Sequence, residues 1–336
     1  MMTDIDRMPD AMPDVSIAMV SLNCWGVLKD CLDSLRASDP SVTHELFLVD
    51  NGSTDGTREN ARTQYPEATL IENSENAGFL KGTNQGIRLG RGRYVLWLNP
   101  DTILRPDSLR QMVGFLEAHP KAGIVGPRVL NADGSFQPQC KRGMPTPGAS
   151  LAYYAKLDRL FPRNHTLGQY LLRYLPEDQA NQIDAVSGCC LMARREVVDD
   201  IGLLDEDLKQ WGEDIEWCVR AKKADWEVWY NPESVITHLK GKGGRHAVPY
   251  HVTKNMHYAM WVFYRKYFQA QSSPLTSAAV WTGIQGSLAG SLVRIWTARN
   301  VLSRPPAVRF GLLAGAVLLG FWVRQLTKKD GSNYGE

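Results

Sequence analysis

From Ser234 to Lys329 the chain contains no aspartate or glutamate, although 13 Lys and Arg fall in that stretch. Residues 1–233 hold 34 Asp and Glu against 25 Lys and Arg, and Asp330 and Glu336 bring the whole to +2. A near-neutral total therefore conceals two regions with different surroundings. Cys24, Cys31, Cys140, Cys189, Cys190 and Cys218 include no C-x-x-C spacing, which argues against a zinc ribbon and a disulfide framework. The opening MMTDIDRMPDAMPD lacks the apolar core of a secretory signal, so any catalytic part is expected in the reducing cytoplasm. Leu275–Val293 is uncharged but only mildly apolar, and Phe310–Val323 is strongly apolar but 14 residues long. A spanning helix needs about 20 predominantly apolar residues, so neither reads as a confident span. There is no internal repeat, and a charged fraction of 22% excludes wholesale disorder.

The 336 residues, 43% of them hydrophobic, suffice for one large domain or two modest ones. Strand-like and helix-like segments alternate four times: Val15–Leu22 then Val27–Arg36, Leu46–Asp50 then a helix to Gln64, Thr69–Glu72 then Phe79–Leu89, and finally Tyr94–Leu98. That alternation predicts a parallel α/β sheet with helices on both faces. Further strands are expected at Gly123–Leu130, Ser135–Gln139, Ala185–Ala193, Glu227–Tyr230 and Ser234–His238, with helices at Gly212–Ala224 and Tyr250–Phe268. Pro145–Gln182 reads as an insertion with helices.

Ligands of such sheets bind beyond the carboxyl ends of the strands, where polar loops lie: Asn23, Asp50-Asn51-Gly52-Ser53 and Asn99-Pro100-Asp101. Asp50 could accept hydrogen bonds from a nucleotide base or ribose, although the same residues also make an ordinary turn. Asp101 follows the most hydrophobic strand and could hold Mg²⁺ or Mn²⁺ against diphosphate oxygens. His238 is a second candidate ligand, and the loop after it offers Lys240 and Arg245 as phosphate donors. Helical spacing puts Asp214 at the start of an apolar face, with Glu213 and Glu216 on the solvated side, so Asp214 is the candidate general base.

The ordered set SLN (21–23), VDNGSTDGT (49–57), NAGFLKGTNQGI (76–87), LNPDT (98–102), SGCCLMARRE (187–196), WGEDIEWCVRAKKADW (211–226) and VITH (235–238) resembles inverting family 2 glycosyltransferases of the GT-A fold. Within them it looks most like bacterial rhamnosyltransferases. The resemblance covers about residues 15–250. It implies a mixed α/β sheet flanked by helices and a nucleotide-sugar pocket made by Ser21, Asn23, Asp50, Asn51, Gly52, Gly78 and Asn84. It also implies diphosphate and metal at Asn99 and Asp101, His238 as a further metal ligand, and Asp214 as base. Asn99 stands where the family more commonly has Asp, which replaces a carboxylate with a neutral carbonyl.

The implied donor is dTDP-L-rhamnose, with UDP-hexoses or UDP-galactofuranose as alternatives, and the implied acceptor is a lipid-linked saccharide. Domains are expected at residues 15–249 (catalytic) and 250–329 (helical, basic and apolar), between a polar lead, 1–14, and a polar tail, 330–336. Arg294, Arg299, Arg304, Arg309, Arg324, Lys328 and Lys329 flank the apolar segments, and Trp281, Trp296 and Trp322 accompany them. This pattern suits helices lying on an anionic membrane, at the cytoplasmic face of a bacterial inner membrane, better than a nucleic-acid groove. A homo-oligomer is the alternative for those apolar faces. A non-catalytic nucleotide-sugar sensor is the competing function, but it would have no need of base and metal ligand together.

Overall fold

The computed structural model describes residues 12–208, 211–239 and 249–297. They divide into two compact units, one with residues 12–239 and Tyr258–Ser272, the other with residues 249–257 and 273–297. In the first unit, β1 (Val15–Ser21), α1 (Trp25–Arg36), β2 (His44–Asp50), α2 (Thr57–Gln64), β3 (Thr69–Glu72), α3 (Phe79–Leu89) and β4 (Tyr94–Leu98) follow the expected alternation. Next come β5 (Thr102–Leu104), α4 (Ser108–Ala118), β6 (Ala122–Leu130), β7 (Lys141–Arg142), α5 (Pro147–Tyr154) and α6 (Leu157–Leu160). The rest of the core is β8 (Asn181–Ile183), β9 (Ala185–Val186), β10 (Cys190–Arg194), α7 (Arg195–Ile201), α8 (Glu213–Lys223) and β11 (Glu227–His238). The helix α9 (Pro249–Tyr267) contributes residues to both units, and α10 (Pro274–Thr297) belongs to the second.

The main sheet runs β3-β2-β1-β4-β10-β6-β11-β5, with β8 also on β11, and β7 pairs with β9 apart from it. Only part of it is parallel. Pairings among β1 to β4 are parallel, but β10 enters antiparallel to both β4 and β6. The sheet is therefore mixed, as the resemblance implied and as simple alternation did not. Every residue of β4 (YVLWL) is buried, which suits a central strand covered on both faces. Leu28, Cys31, Leu32 and Leu35 make the buried stripe of α1, at the spacing that one helix face requires.

Four expectations are corrected. Residues 135–139 form no strand: Phe136 makes a single bridge to Leu130, and Pro138–Cys140 is a short 3₁₀ turn. The Ala185–Ala193 run is broken at Ser187–Cys189 into β9 and β10. The two short strands after Trp226 are one, β11, with an irregularity between Asn231 and Val235. Glu213 and Glu216 are not solvated but buried. Glu216 is held by Arg220, by Lys266 Nζ at 2.8 Å and by the Tyr267 hydroxyl at 2.7 Å. Those cations are what make a buried carboxylate tolerable, and α9 supplies one of them.

Among the described residues no helix is long and apolar enough to cross a membrane. In α10 only Ile284 is buried. The apolar stretch 310–323, the tail and the basic residues from Arg299 onward lie outside the described residues.

Candidate active site

The expected polar positions gather at the carboxyl ends of the strands. Ser21 and Asp50 close β1 and β2 as register partners, and the Ser21 hydroxyl donates to Asp50 Oδ2 at 3.2 Å. Asp50 is fully buried. Its Oδ1 accepts from the Ser53 backbone N–H at 2.9 Å and from Arg58 Nη2 at 2.9 Å. Arg58, on α2, was not picked out from the sequence, because an arginine on a surface helix has no local signature. Asn23 Oδ1 accepts from Thr54 N–H at 2.7 Å, which ties the first loop to the second. Asn51 donates to the Gly78 carbonyl at 3.1 Å and accepts from Asn73 at 2.7 Å. Gly52 has φ +86°, a left-handed conformation that disfavours any side chain. Asn84 departs from its expected place in the pocket. It is 1% exposed, and its amide is used up on Leu204 and Glu206, bracing α3 against the loop before α8.

Asp101 and His238 meet at the next strand ends. His238 is the last residue of β11, in register with Thr102 of β5, and its Nε2 lies 3.4 Å from Asp101 Oδ1. Its Nδ1 faces Gln137 Oε1 at 3.1 Å, a partner that fixes the ring with Nε2 toward Asp101. Burial favours the neutral ring, but Cys189 and Asp101 outweigh it and push His238 up to about 10. Asn99 Oδ1, two residues before Asp101, is buried with no hydrogen-bond partner. An orphaned buried acceptor costs free energy until something binds it. A carboxylate, an imidazole and that carbonyl fit a divalent cation that completes its shell with diphosphate oxygens. Among the described residues no group of three or more His, Cys, Asp or Glu could hold a metal alone. Lys240 and Arg245 lie outside the described residues.

Asp214 stands in the first turn of α8. Its Oδ2 accepts from Arg142 Nη2 at 2.7 Å and from the Gly188 N–H at 2.9 Å, and Oδ1 from the Ile215 N–H at 2.8 Å. Arg142 is buried on β7, yet its neighbours, Asp214 foremost, outweigh the cost of burial and hold the guanidinium more firmly protonated than usual. Nothing in QCKRG announces that role, since β7 is two residues long. Gly188 sits in the break between β9 and β10, and a Cβ there would meet the Trp97 ring at 2.5 Å. We expect Gly188→Ala to cost about 1–3 kcal/mol through overpacking, seen as a lower urea midpoint at unchanged m-value. The carbonyl of the next residue, Cys189, accepts from Asn99 N–H at 2.9 Å. One dipeptide, Gly188-Cys189, thus touches both the Asn99–Asp101 turn and the Asp214 carboxylate.

A carboxylate beside a metal-competent corner, at the edge of a mixed α/β sheet, is consistent with several transferases. The deciding observation is that the profile of glycosyl transferase family 2 matches residues 16–202, more than half of the chain. The chain belongs to glycosyl transferase family 2. Asp214 and His238 of this glycosyltransferase lie beyond the matched span. The N-acetylglucosaminyl-diphospho-decaprenol L-rhamnosyltransferase of Mycobacterium tuberculosis is 31% identical over 206 residues, 58% of this chain and 66% of the relative. A low-salt glycan biosynthesis hexosyltransferase of Haloferax volcanii is 27% identical over 216 residues, 62% of each chain. The chain thus spans less than two thirds of the length of either relative.

Two solved structures share the fold. The mannosyltransferase of Pyrobaculum calidifontis, in complex with GDP-Man and Mn²⁺, gives a TM-score of 0.52 at 18% identity over 94% of this chain and 84% of that one. GalNAc-T7 with UDP, GalNAc and Mn²⁺ gives 0.52 at 17% identity over 76% and 48%.

Proposed function

We propose that this glycosyltransferase moves a sugar, L-rhamnose from dTDP-L-rhamnose first among the candidates, onto a hydroxyl of a lipid-linked saccharide with inversion at the anomeric carbon. The observation that carries the reading is the Gly188-Cys189 joint, which ties the Asp214 carboxylate through two backbone hydrogen bonds to the turn that holds Asn99 and Asp101. The named activity of the M. tuberculosis relative supports the choice of donor and acceptor. In this reading Ser21, Asn23, Asp50, Asn51, Gly52 and Gly78 receive the nucleoside, and a base edge takes the Asp50 contact now made by Arg58. Asp101, His238 and the Asn99 carbonyl would hold Mg²⁺ or Mn²⁺, which offsets charge on the leaving diphosphate when bound. Lys240 and Arg245 add donors to the same phosphates. Asp214 accepts the proton of the acceptor hydroxyl as that oxygen attacks opposite the leaving group. Arg142 and the Gly188 N–H keep the carboxylate aimed while it does so. The acid-free C-terminal region would hold the enzyme at the cytoplasmic face of the membrane, where lipid-linked acceptors reside.

A thermal-shift screen of nucleotide sugars with and without Mn²⁺ tests the donor. A ligand at 100 times its Kd should stabilise the fold by about 2.7 kcal/mol. We expect dTDP-L-rhamnose to do so only with the metal, and chelation to abolish transfer until Mg²⁺ or Mn²⁺ is restored. Equal stabilisation in chelator would remove the metal role of Asp101 and His238. Stabilisation by UDP-sugars alone would replace the donor.

A further inference from the structure

We propose that residues 147–163, in the insertion between β7 and β8, form a membrane-docking surface that seats the first unit on an anionic bilayer. This deepens the reading above, because it rests on Asp214 serving a lipid-linked acceptor. The two short helices α5 and α6 pack on each other. Between them they leave Leu151 69%, Tyr154 46%, Leu160 70% and Phe161 54% exposed. Large apolar side chains clustered in this way on a soluble surface mark a contact site.

Charge selects the partner. Lys156, Arg159, Arg163 and His165 are exposed around those side chains. From Met144 to Pro176 there is one acid, Asp158, and it is buried and bonded by Arg173 Nε at 2.8 Å. The segment therefore shows bulky apolar groups and cations with no exposed acid of its own, the combination that suits an interface of anionic headgroups over acyl chains. Long basic side chains can keep their heads among the phosphates while their stems lie along the apolar layer.

The same insertion reaches inward to the base. Tyr170 lies against Arg142, the partner of Asp214, and its carbonyl accepts from the Gly143 N–H at 2.9 Å. Tyr153 packs edge-on to Tyr170 at 5.0 Å and to the exposed Tyr154 at 5.3 Å. An aromatic file thus runs from the ion pair at Asp214 to the exposed apolar side chains. A saccharide headgroup whose lipid remains in the bilayer would follow it to the carboxylate.

Hydrogen exchange on the full chain, with and without vesicles of phosphatidylcholine containing about 30 mol% phosphatidylglycerol, reads this directly. We expect amides of residues 150–163 to slow by about tenfold or more with these vesicles and far less with phosphatidylcholine alone. A chain that sediments with the vesicles while residues 150–163 exchange unchanged would overturn the proposal, and so would a chain that does not sediment. Protection that grows with protein concentration and needs no vesicles would identify a second copy as the occupant instead. The pair Leu160→Asp and Phe161→Asp alters only exposed side chains and should cut the vesicle-bound fraction several-fold; undiminished binding would also refute the surface. Vesicle protection does not depend on turnover, so the outcome stays separate from any failure of the Asp214 assignment.

Discussion

Replacing Asp214 with asparagine is expected to lower transfer by about 10²–10⁴-fold, the range that a positioned general base supplies. Asparagine keeps the shape and leaves an acceptor for Arg142 or the Gly188 N–H, but it cannot take a proton at neutral pH. Asp214 hydrogen-bonds Arg142, Gly188 and Ile215, not Ser21, Asp50 or Asn51, so affinity for the nucleotide sugar should change by no more than about twofold. Single-turnover rates and donor titration on the same preparation separate the two effects. Residual turnover within about tenfold of the parent would sink the base assignment. The assay should run well below the unfolding temperature, because the variant also leaves Arg142 without its counter-charge.

That counter-charge is the basis of the second large effect. Arg142→Met should destabilise the fold by about 3–5 kcal/mol, the usual cost of removing one partner from a buried pair. The Arg142 and Asp214 side chains are only 10% and 15% exposed, so water replaces little of what is lost. Arg142 Nη2 also bonds the Val186 carbonyl at 2.5 Å, and that acceptor is orphaned too. The double variant Arg142→Met with Asp214→Asn removes both charges and should recover a substantial part of the loss. A double variant as unstable as Arg142→Met alone would show that lost packing, rather than the unpaired carboxylate, causes the damage. Urea midpoints for the four proteins close the cycle.

The parts of this fold legible in the sequence are those whose signal is local. The β1 to β4 half alternates apolar runs with amphipathic helices, and Phe79–Leu89 and Tyr94–Leu98 match the sequence boundaries residue for residue. Asp50, Asp101 and His238 were likewise visible, since each closes an apolar run with a polar turn. The β10 insertion was not, because nothing in CLMAR states which strand it joins or in which direction. Nor was the break at Gly188, which makes two strands of one apolar run and frees the N–H that reaches Asp214. Arg58, Gln137 and Arg142 contribute through partners 8, 101 and 72 residues away. Glu216 misled for a related reason: its cationic partners include Lys266, fifty residues on. Helical spacing on α8 reports only which side of the helix a residue occupies, not what covers that side.

All six cysteines are free and buried, and burial pushes the thiols of Cys24, Cys31, Cys140 and Cys218 up to about 12. A thiol that is both shielded and protonated does not alkylate, so these side chains stay silent while the sheet is closed. Five of them, Cys24, Cys31, Cys140, Cys190 and Cys218, are spread from α1 through the β6–β7 turn to β10 and α8. Under alkylating reagent each becomes a clock that starts only when its own neighbourhood opens. Mass-resolved labelling would therefore time the parting of the β1–β4 half from the half that holds β6, β10 and α8, with no probe added to the protein.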